Sequence, residues 1–504
     1  MGNPGYLLGL DNGSTAIKAG LFDPDGRELA AAAGAAEVLT PRDGWYERRL
    51  DDIWAANIEA IRGVLDKAGV SGSEVRALAV AGHGNGLHLV GRNGEFLRNA
   101  IEGADARAAG YVKGWQEDGT WERLLPKTAQ HLWPAQPPAL LAWMKDEEPE
   151  VLAKTRWVFM VKDFVRYMLT GEGFAELTDI SGTSLFNVRD VKYDGEIFAA
   201  YGLEDLTDLL PPLKRSDEIC GTVTAAAAEL TGLRPGTPVA GGLFDIDAAA
   251  VATGLTDPRM LNVIVGTWCN NQYISREPVA SKELFMTSVF CIPGFWLILE
   301  GSATSASNLD WFLGEILGGA WDQDGAGGSV YDACNEAARS VKAEDSPVVF
   351  LPFLYQSNVD PGARSAFVGM KGYHSRAHMI RAIYEGITFS HRHHVEKLLA
   401  FRDKPETIRI AGGAARSEVW VQMFADVLQT PIEITEGTEL GALGAAMCAG
   451  AGAGLFGSLA EGAERMARIS RRVEPDPAMG GVYDRKYERY RRVIEALDPA
   501  WKSF

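Results

Sequence analysis

Three features of this 504-residue sequence predict a two-domain α/β protein: an opening run of short strands joined by tight polar turns, an alternation of strands and amphipathic helices after it, and an echo of that order from about the middle of the chain. Residues 6–10 form an apolar run that ends in Asp11-Asn12-Gly13-Ser14-Thr15. Residues 16–22 resume as a second strand, giving a β-hairpin around a glycine-containing turn. A third strand, residues 27–33, follows the turn Asp23-Pro24-Asp25-Gly26, so the domain opens as an antiparallel meander and not as a dinucleotide-binding βαβ unit. Helical periodicity spans residues 50–68. A buried-type strand, residues 75–80, then leads into the loop Ala81-Gly82-His83-Gly84-Asn85-Gly86.

The echo begins at residues 238–240, which run into Gly241-Gly242-Leu243-Phe244-Asp245, with a small-residue helix expected from Ala248. Residues 260–265 read as a strand, Gly266-Thr267 as a tight turn, and residues 271–274 and 295–300 as returning strands. Later come a strand at 407–410, the loop Ala411-Gly412-Gly413-Ala414-Ala415, an amphipathic helix at 417–428 and a stretch of small residues from Thr438 to Ala446 suited to close helix packing. A charged helix at 482–497 is expected on the surface. The expected domains are 1–253 and 254–504, joined near residues 250–258.

Composition narrows the function classes. Apolar residues make up 46% and charged residues 23%, which is globular usage and excludes disordered and fibrous classes. The 67 acidic against 49 basic side chains leave a formal charge of −18, which repels nucleic acid and anionic lipid surfaces. No run approaches the roughly 20 apolar residues of a membrane span. Met1-Gly2-Asn3-Pro4-Gly5-Tyr6 lacks the basic start and apolar middle of a signal peptide, so a cytoplasmic location is expected. The five cysteines are odd in number and scattered, which fits neither a disulfide framework nor a zinc site. His391, His393 and His394 have odd spacing for one helix face and read as solvated or packed.

Four segments could carry chemistry. In Asp11-Asn12-Gly13-Ser14-Thr15, with Lys18, the turn can aim backbone N–H groups and hydroxyls at phosphate oxygens, and Asp11 can hold Mg²⁺ through water; the same residues also suit an ordinary hairpin. Gly266-Thr267 is the matching turn of the second half. Gly412-Gly413-Ala414-Ala415 before Ser417 permits close approach of a base or phosphate, or is a βα loop that needs small residues. Asp245, with Asp247 beside it, suits either a general base toward a hydroxyl attacking phosphorus or a helix cap. A Walker A loop, a GxGxxG start, a GxSxG elbow and an HExxH pair are missing.

In this order the segments resemble the FGGY family of carbohydrate kinases, over residues 8 to about 450. The resemblance implies two ribonuclease-H-like (actin-like ATPase) domains with an interdomain nucleotide cleft, ATP and Mg²⁺ as cofactors, and, by family habit, a homodimer. It implies that Asp11, Gly13, Ser14, Thr15 and Lys18, with Gly266 and Thr267, grip ATP phosphates; that Gly412, Gly413, Ala414 and Ser417 lie by the adenosine; and that Asp245, not Asp247, is the catalytic aspartate and a second candidate contact of the metal. Glycerol kinases carry an Arg-Glu pair and xylulose kinases Gln-Met-His where this chain has His83-Gly84-Asn85. Gly44-Trp45-Tyr46-Glu47 and Asp105-Ala106-Arg107 are similar to pentulose kinases, and the combination of Gly241-Gly242-Leu243-Phe244-Asp245, Val265-Gly266-Thr267-Trp268 and Ala382-Ile383-Tyr384-Glu385-Gly386 is similar to bacterial L-xylulose kinases. The implied reaction is phosphorylation of the terminal hydroxyl of a ketopentose, L-xylulose first, with His83, Asn85, Asp105, Arg107 and Asp245 toward the sugar. D-Xylulose, erythritol and 3-keto-L-gulonate are the substrate alternatives, and an actin-like or chaperone-like ATP switch is the alternative from another class.

Overall fold

The computed structural model describes residues 5–318, 329–355, 357, 359, 360, 362–437 and 439–503. The amino-terminal reading on residues 1–4 and the start of the small-residue stretch at Thr438 lie outside them. The chain divides into two compact units, one of Met1–Thr256, Ile274–Ile298 and Gly437–Arg468, the other of Asp257–Tyr273, Leu299–Glu436 and Ile469–Phe504.

In the first unit a seven-stranded sheet runs in the order Ile219–Thr222, Pro238–Ala240, Val75–Gly82, Tyr6–Asn12, Ile17–Phe22, Glu28–Gly34, with Leu243–Phe244 also paired to Val75–Gly82. Tyr6–Asn12 is antiparallel to Ile17–Phe22 and parallel to Val75–Gly82, and Asn12 stands opposite Gly82. Side chains alternate across a strand. Leu8 and Leu10 therefore join Ile53, Ala60, Ile61 and Val64 of the helix Leu50–Ala68 in one core, while Gly9 meets the helix Leu440–Gly452 on the opposite face. The approach there is so close that a Cβ on Gly9 would lie 1.8 Å from the Ala442 carbonyl oxygen.

A second seven-stranded sheet repeats this plan in the order Met286–Val289, Trp296–Ser302, Cys269–Ser275, Met260–Val265, Thr407–Gly412, Ile432–Thr435, Ile469–Val473. Met260–Val265 is antiparallel to Cys269–Ser275 and parallel to Thr407–Gly412, with Val265 opposite Gly412 as Asn12 is opposite Gly82. Each unit is thus a ribonuclease-H-like sheet, and the echo read in the sequence is a repeat of topology.

Two elements differ from the sequence reading. The small-residue helix starts at Asp245, not Ala248, and spans Asp245–Ala252, because Leu243–Phe244 pairs with Ala81 and Gly82 and ends the extended segment at Phe244. The last helix is longer, Pro477–Trp501, since Asp476 accepts a hydrogen bond from the Ala478 N–H and Pro477 opens the first turn. It is not only a surface helix: Tyr483, Tyr487 and Tyr490 are buried, and Lys486 lies 2.8 Å from Glu385. His391 and His394 are packed. His391 reaches Asn271 Oδ1 at 2.8 Å and Ser305 Oγ at 3.0 Å, and His394 reaches Glu300 at 3.0 Å. All five cysteines are buried and free. Among the described residues no helix is long and apolar enough to cross a membrane.

Candidate active site

The first unit's site is built at the carboxyl ends of its parallel pair. Asn12 and Asn57 exchange buried side-chain hydrogen bonds of 3.1 and 2.8 Å, which lock the hairpin turn to the helix Leu50–Ala68. Gly13 N–H donates to the Ala16 carbonyl at 3.1 Å, leaving Ser14 and Thr15 exposed at the tip, and Arg48 donates to the Ser14 carbonyl. Lys18 stands opposite Asp11 in the hairpin and lies 2.9 Å from Glu439.

Asp11 Oδ1 is buried with no hydrogen-bond partner, and burial together with the charge of Asp245 pushes its carboxyl up to about 7. Its place depends on Gly441, where a Cβ would come within 2.2 Å of Asp11 Oδ2. Gly441→Ala is expected to displace a movable carboxylate and not backbone. Turnover should fall about tenfold or more while the melting temperature changes by no more than a few degrees, read by steady-state kinetics beside thermal melting.

Asp245 is the first residue of its helix. The capping position belongs to Phe244, which makes no side-chain cap bond, so Asp245 is not the N-cap that the sequence left open. Phe244 N–H donates to Thr178 Oγ1 at 2.8 Å, Thr178 donates to Glu176 at 2.7 Å, and Glu176 lies 3.3 Å from the buried Lys162. This buried network fixes where the helix begins. Asp245 keeps some solvent access, yet the protein around it raises its carboxyl to about 6, against the lowering effect of His83. Asp247 is fully buried and accepts from the Cys291 N–H at 3.2 Å. It faces inward.

The loop after Val75–Gly82 hangs on the hairpin turn through His83 N–H to the Asn12 carbonyl, 3.0 Å. Asn85 takes a left-handed backbone, φ 66°, and its buried Oδ1 has no hydrogen-bond partner. Asp105 and Arg107 are brought together, but chiefly with each other. Asp105 accepts from the Tyr46 N–H at 2.7 Å and from Arg107 Nε at 2.9 Å, Arg107 also reaches Glu47 at 2.9 Å, and its guanidinium stacks 4.1 Å over the Trp45 ring. Both side chains are wholly enclosed. Two residues absent from the sequence reading sit here: Glu102, 3.4 Å from His83 Nε2, and Arg48, 3.4 Å from Glu102. A carboxylate within the apolar run Ala100-Ile101-Glu102 was the only signal for the first.

In the second unit, Gly266 and Thr267 form an exposed turn anchored by the Ala306 N–H on the Gly266 carbonyl, 2.9 Å. Trp268 beside it is also exposed. Gly412 has φ 90°, and a Cβ there would lie 2.4 Å from the Val265 carbonyl oxygen, so only glycine fits. Gly413 is exposed and Ala414 buried. Ser417 caps the helix Glu418–Leu428, accepting from the Trp420 N–H at 3.1 Å and donating to Asn335 at 2.5 Å. Small residues at a strand-to-helix junction leave room for a nucleotide.

The chain matches the FGGY family of carbohydrate kinases, N-terminal domain, over residues 6–252 and C-terminal domain over residues 261–453. It is similar to L-xylulose/3-keto-L-gulonate kinase of Escherichia coli (strain K12), 38% identical and covering 98% of this chain and 97% of that protein. It is also similar to the probable L-xylulose kinase of Pasteurella multocida (strain Pm70), 36% identical over 98% and 99% of the two chains. The crystal structure of xylulose kinase from Rhodospirillum rubrum superposes with a TM-score of 0.86 at 26% identity, covering 99% of this chain and 100% of that one. This chain therefore belongs to the FGGY family of carbohydrate kinases and is a phosphotransferase that takes ATP and a small sugar as substrates.

Proposed function

We propose that the enzyme phosphorylates the terminal hydroxyl of a ketopentose, L-xylulose, with Asp245 as the general base. The observation that carries the role is the contrast between two neighbouring carboxylates: Asp245 retains solvent access at the head of its helix, and Asp247 is wholly enclosed, with Oδ1 accepting from the Cys291 N–H. The substrate follows from the relatives of 38% and 36% identity, both named for L-xylulose. 3-Keto-L-gulonate is the second candidate, since the first of these relatives carries both names.

In the first unit, Asn85, with its orphaned buried oxygen, is the direct hydroxyl partner, because a desolvated polar group left unpaired costs about 1–3 kcal/mol. Asp105 and Arg107 brace the pocket wall, and His83 lies on the same side. Ser14, Thr15, Gly13 and Lys18 serve the phosphates. In the second unit, Gly266 and Thr267 serve the phosphates, and Gly412, Gly413, Ala414 and Ser417 the adenosine. Mg²⁺ fits the donor set: Asp11 Oδ1 is buried without a partner beside Asp245, and Mg²⁺ favours one or two carboxylates plus substrate phosphates. The ion would supply charge neutralisation on the phosphates. The base of a hydroxyl must be ionised to accept its proton. Since Asp245 is held at about 6, kcat/KM for the sugar should rise with pH through about 6 and level off above it, measured from pH 5 to 8.

Coupled-assay ADP release with L-xylulose, D-xylulose, 3-keto-L-gulonate, erythritol and no sugar tests the reading. ADP release that depends on L-xylulose is expected. Equal release without any sugar would favour a nucleotide switch.

A further inference from the structure

His83 is hemmed in by acceptors. Its Nδ1 lies 3.2 Å from the Gly84 carbonyl oxygen, and its Nε2 lies 3.4 Å from Glu102 Oε2. A carbonyl oxygen and a carboxylate oxygen cannot donate, so the ring satisfies both only when both nitrogens carry protons. The approach of Nε2 to Glu102 is an ion-pair contact and not a closed hydrogen bond. Glu102 is itself fixed from several sides. Its N–H donates to the Tyr46 carbonyl at 3.0 Å, the strand Ala100–Ile101 before it pairs with Glu47–Arg48, and Arg48 Nη1 lies 3.4 Å from the same Oε2 that faces His83. The same Arg48 donates to the Ser14 carbonyl in the phosphate-type turn. One carboxylate therefore ties His83 to that turn.

We infer that Glu102 is a positioning residue of the phosphotransfer centre: it holds His83 as a fixed cation beside Asp245 and Asp11, where the charge of His83 serves the transfer. The charged groups facing His83 are Glu102, Arg48, Asp245, Asp11 and His88. His88, 6.5 Å away between ring centroids, brings no competing charge, since burial pushes it down to about 4. Burial alone would also strip the proton from His83, and the bond and charge of Glu102 outweigh it, holding the ring up at about 9. Glu102 in turn is held down at about 2 against its own burial by His83 and Arg48. A cation fixed in place stabilises negative charge that builds on reacting oxygens without reorganising.

The inference rests on the sugar-kinase reading, and the experiment separates the two. In ¹⁵N-histidine NMR of the wild-type enzyme at pH 8, one imidazole should show the doubly protonated signature. It should disappear in Glu102→Gln and in His83→Asn, and persist in Glu102→Asp. This readout needs no substrate, so it stands even if the panel of sugars finds no activity. In kinetics, Glu102→Gln should lower kcat about tenfold with the sugar KM changed less than about threefold, and Glu102→Asp should recover most of kcat. A wild-type enzyme whose histidines are all neutral at pH 8 would overturn the inference. So would a raised sugar KM at unchanged kcat, which would make His83 a sugar donor, or an Asp variant as impaired as the Gln variant.

Discussion

Asp245→Asn should lower turnover by about 10² to 10⁴-fold and leave ATP binding and the melting temperature close to wild type. The substitution keeps the size and shape of the side chain at the head of Asp245–Ala252, so the helix start, fixed by Phe244 N–H on Thr178, is untouched. What it removes is a proton acceptor. It also removes a negative charge that raises the Asp11 carboxyl, so the variant should fold at least as well as the parent. Sugar-dependent ADP release against calorimetric titration of a nucleotide analogue reads the two effects separately. Near-normal turnover would take the base role from Asp245, and the solvent access that marks it out from Asp247 would then need another explanation.

The second large effect is on stability. Gly444 lies where the helix Leu440–Gly452 crosses Asp245–Ala252, and a Cβ there would stand 2.2 Å from the Ala248 carbonyl oxygen and 2.7 Å from its carbonyl carbon. Those are backbone atoms of a helix, and no side chain can swing aside. Overpacking of this kind costs about 1–3 kcal/mol or more, so Gly444→Ala should lower the melting temperature by about 2–5 °C. Because the displaced backbone belongs to the Asp245 helix, turnover should fall as well. Thermal melting and steady-state kinetics on one preparation check both. A melting curve unchanged by Gly444→Ala would mean the two helices can part at little cost. Gly441→Ala, a turn earlier, is the contrasting case, since its neighbour is the Asp11 carboxylate.

The parts of this protein that could be read in advance are those whose cause is local. The hairpin at Asp11-Asn12-Gly13, the periodic helix at residues 50–68 and the strand-to-helix glycines at 412 and 413 each carry their own turn chemistry or period. Glu102 and Arg48 could not be found that way. They sit in or beside two-residue strands, and their meaning depends on His83 and Ser14, reached only through folding. Gly441 is the same kind of case, ordinary in a small-residue helix until Asp11 is seen against it. The final helix, expected over 482–497, spans Pro477–Trp501 and takes in Gly480-Gly481, a pair of poor helix formers. Gly480 is in fact packed so tightly that a Cβ would lie 2.9 Å from the Gln429 side chain.

The return of Gly437–Arg468 to the first unit constrains how this chain can be made. A polypeptide leaving the ribosome holds every strand of the first sheet by residue 244, yet the Gly9 face stays bare until Leu440–Gly452 has been synthesised. Nascent chains must wait for almost two hundred further residues with an uncovered, small-residue surface, which is the condition under which folding helpers are recruited and aggregation begins. An amino-terminal fragment cut at residue 253 would stay in that condition permanently, and the lost helix would have to be supplied in trans to quench it.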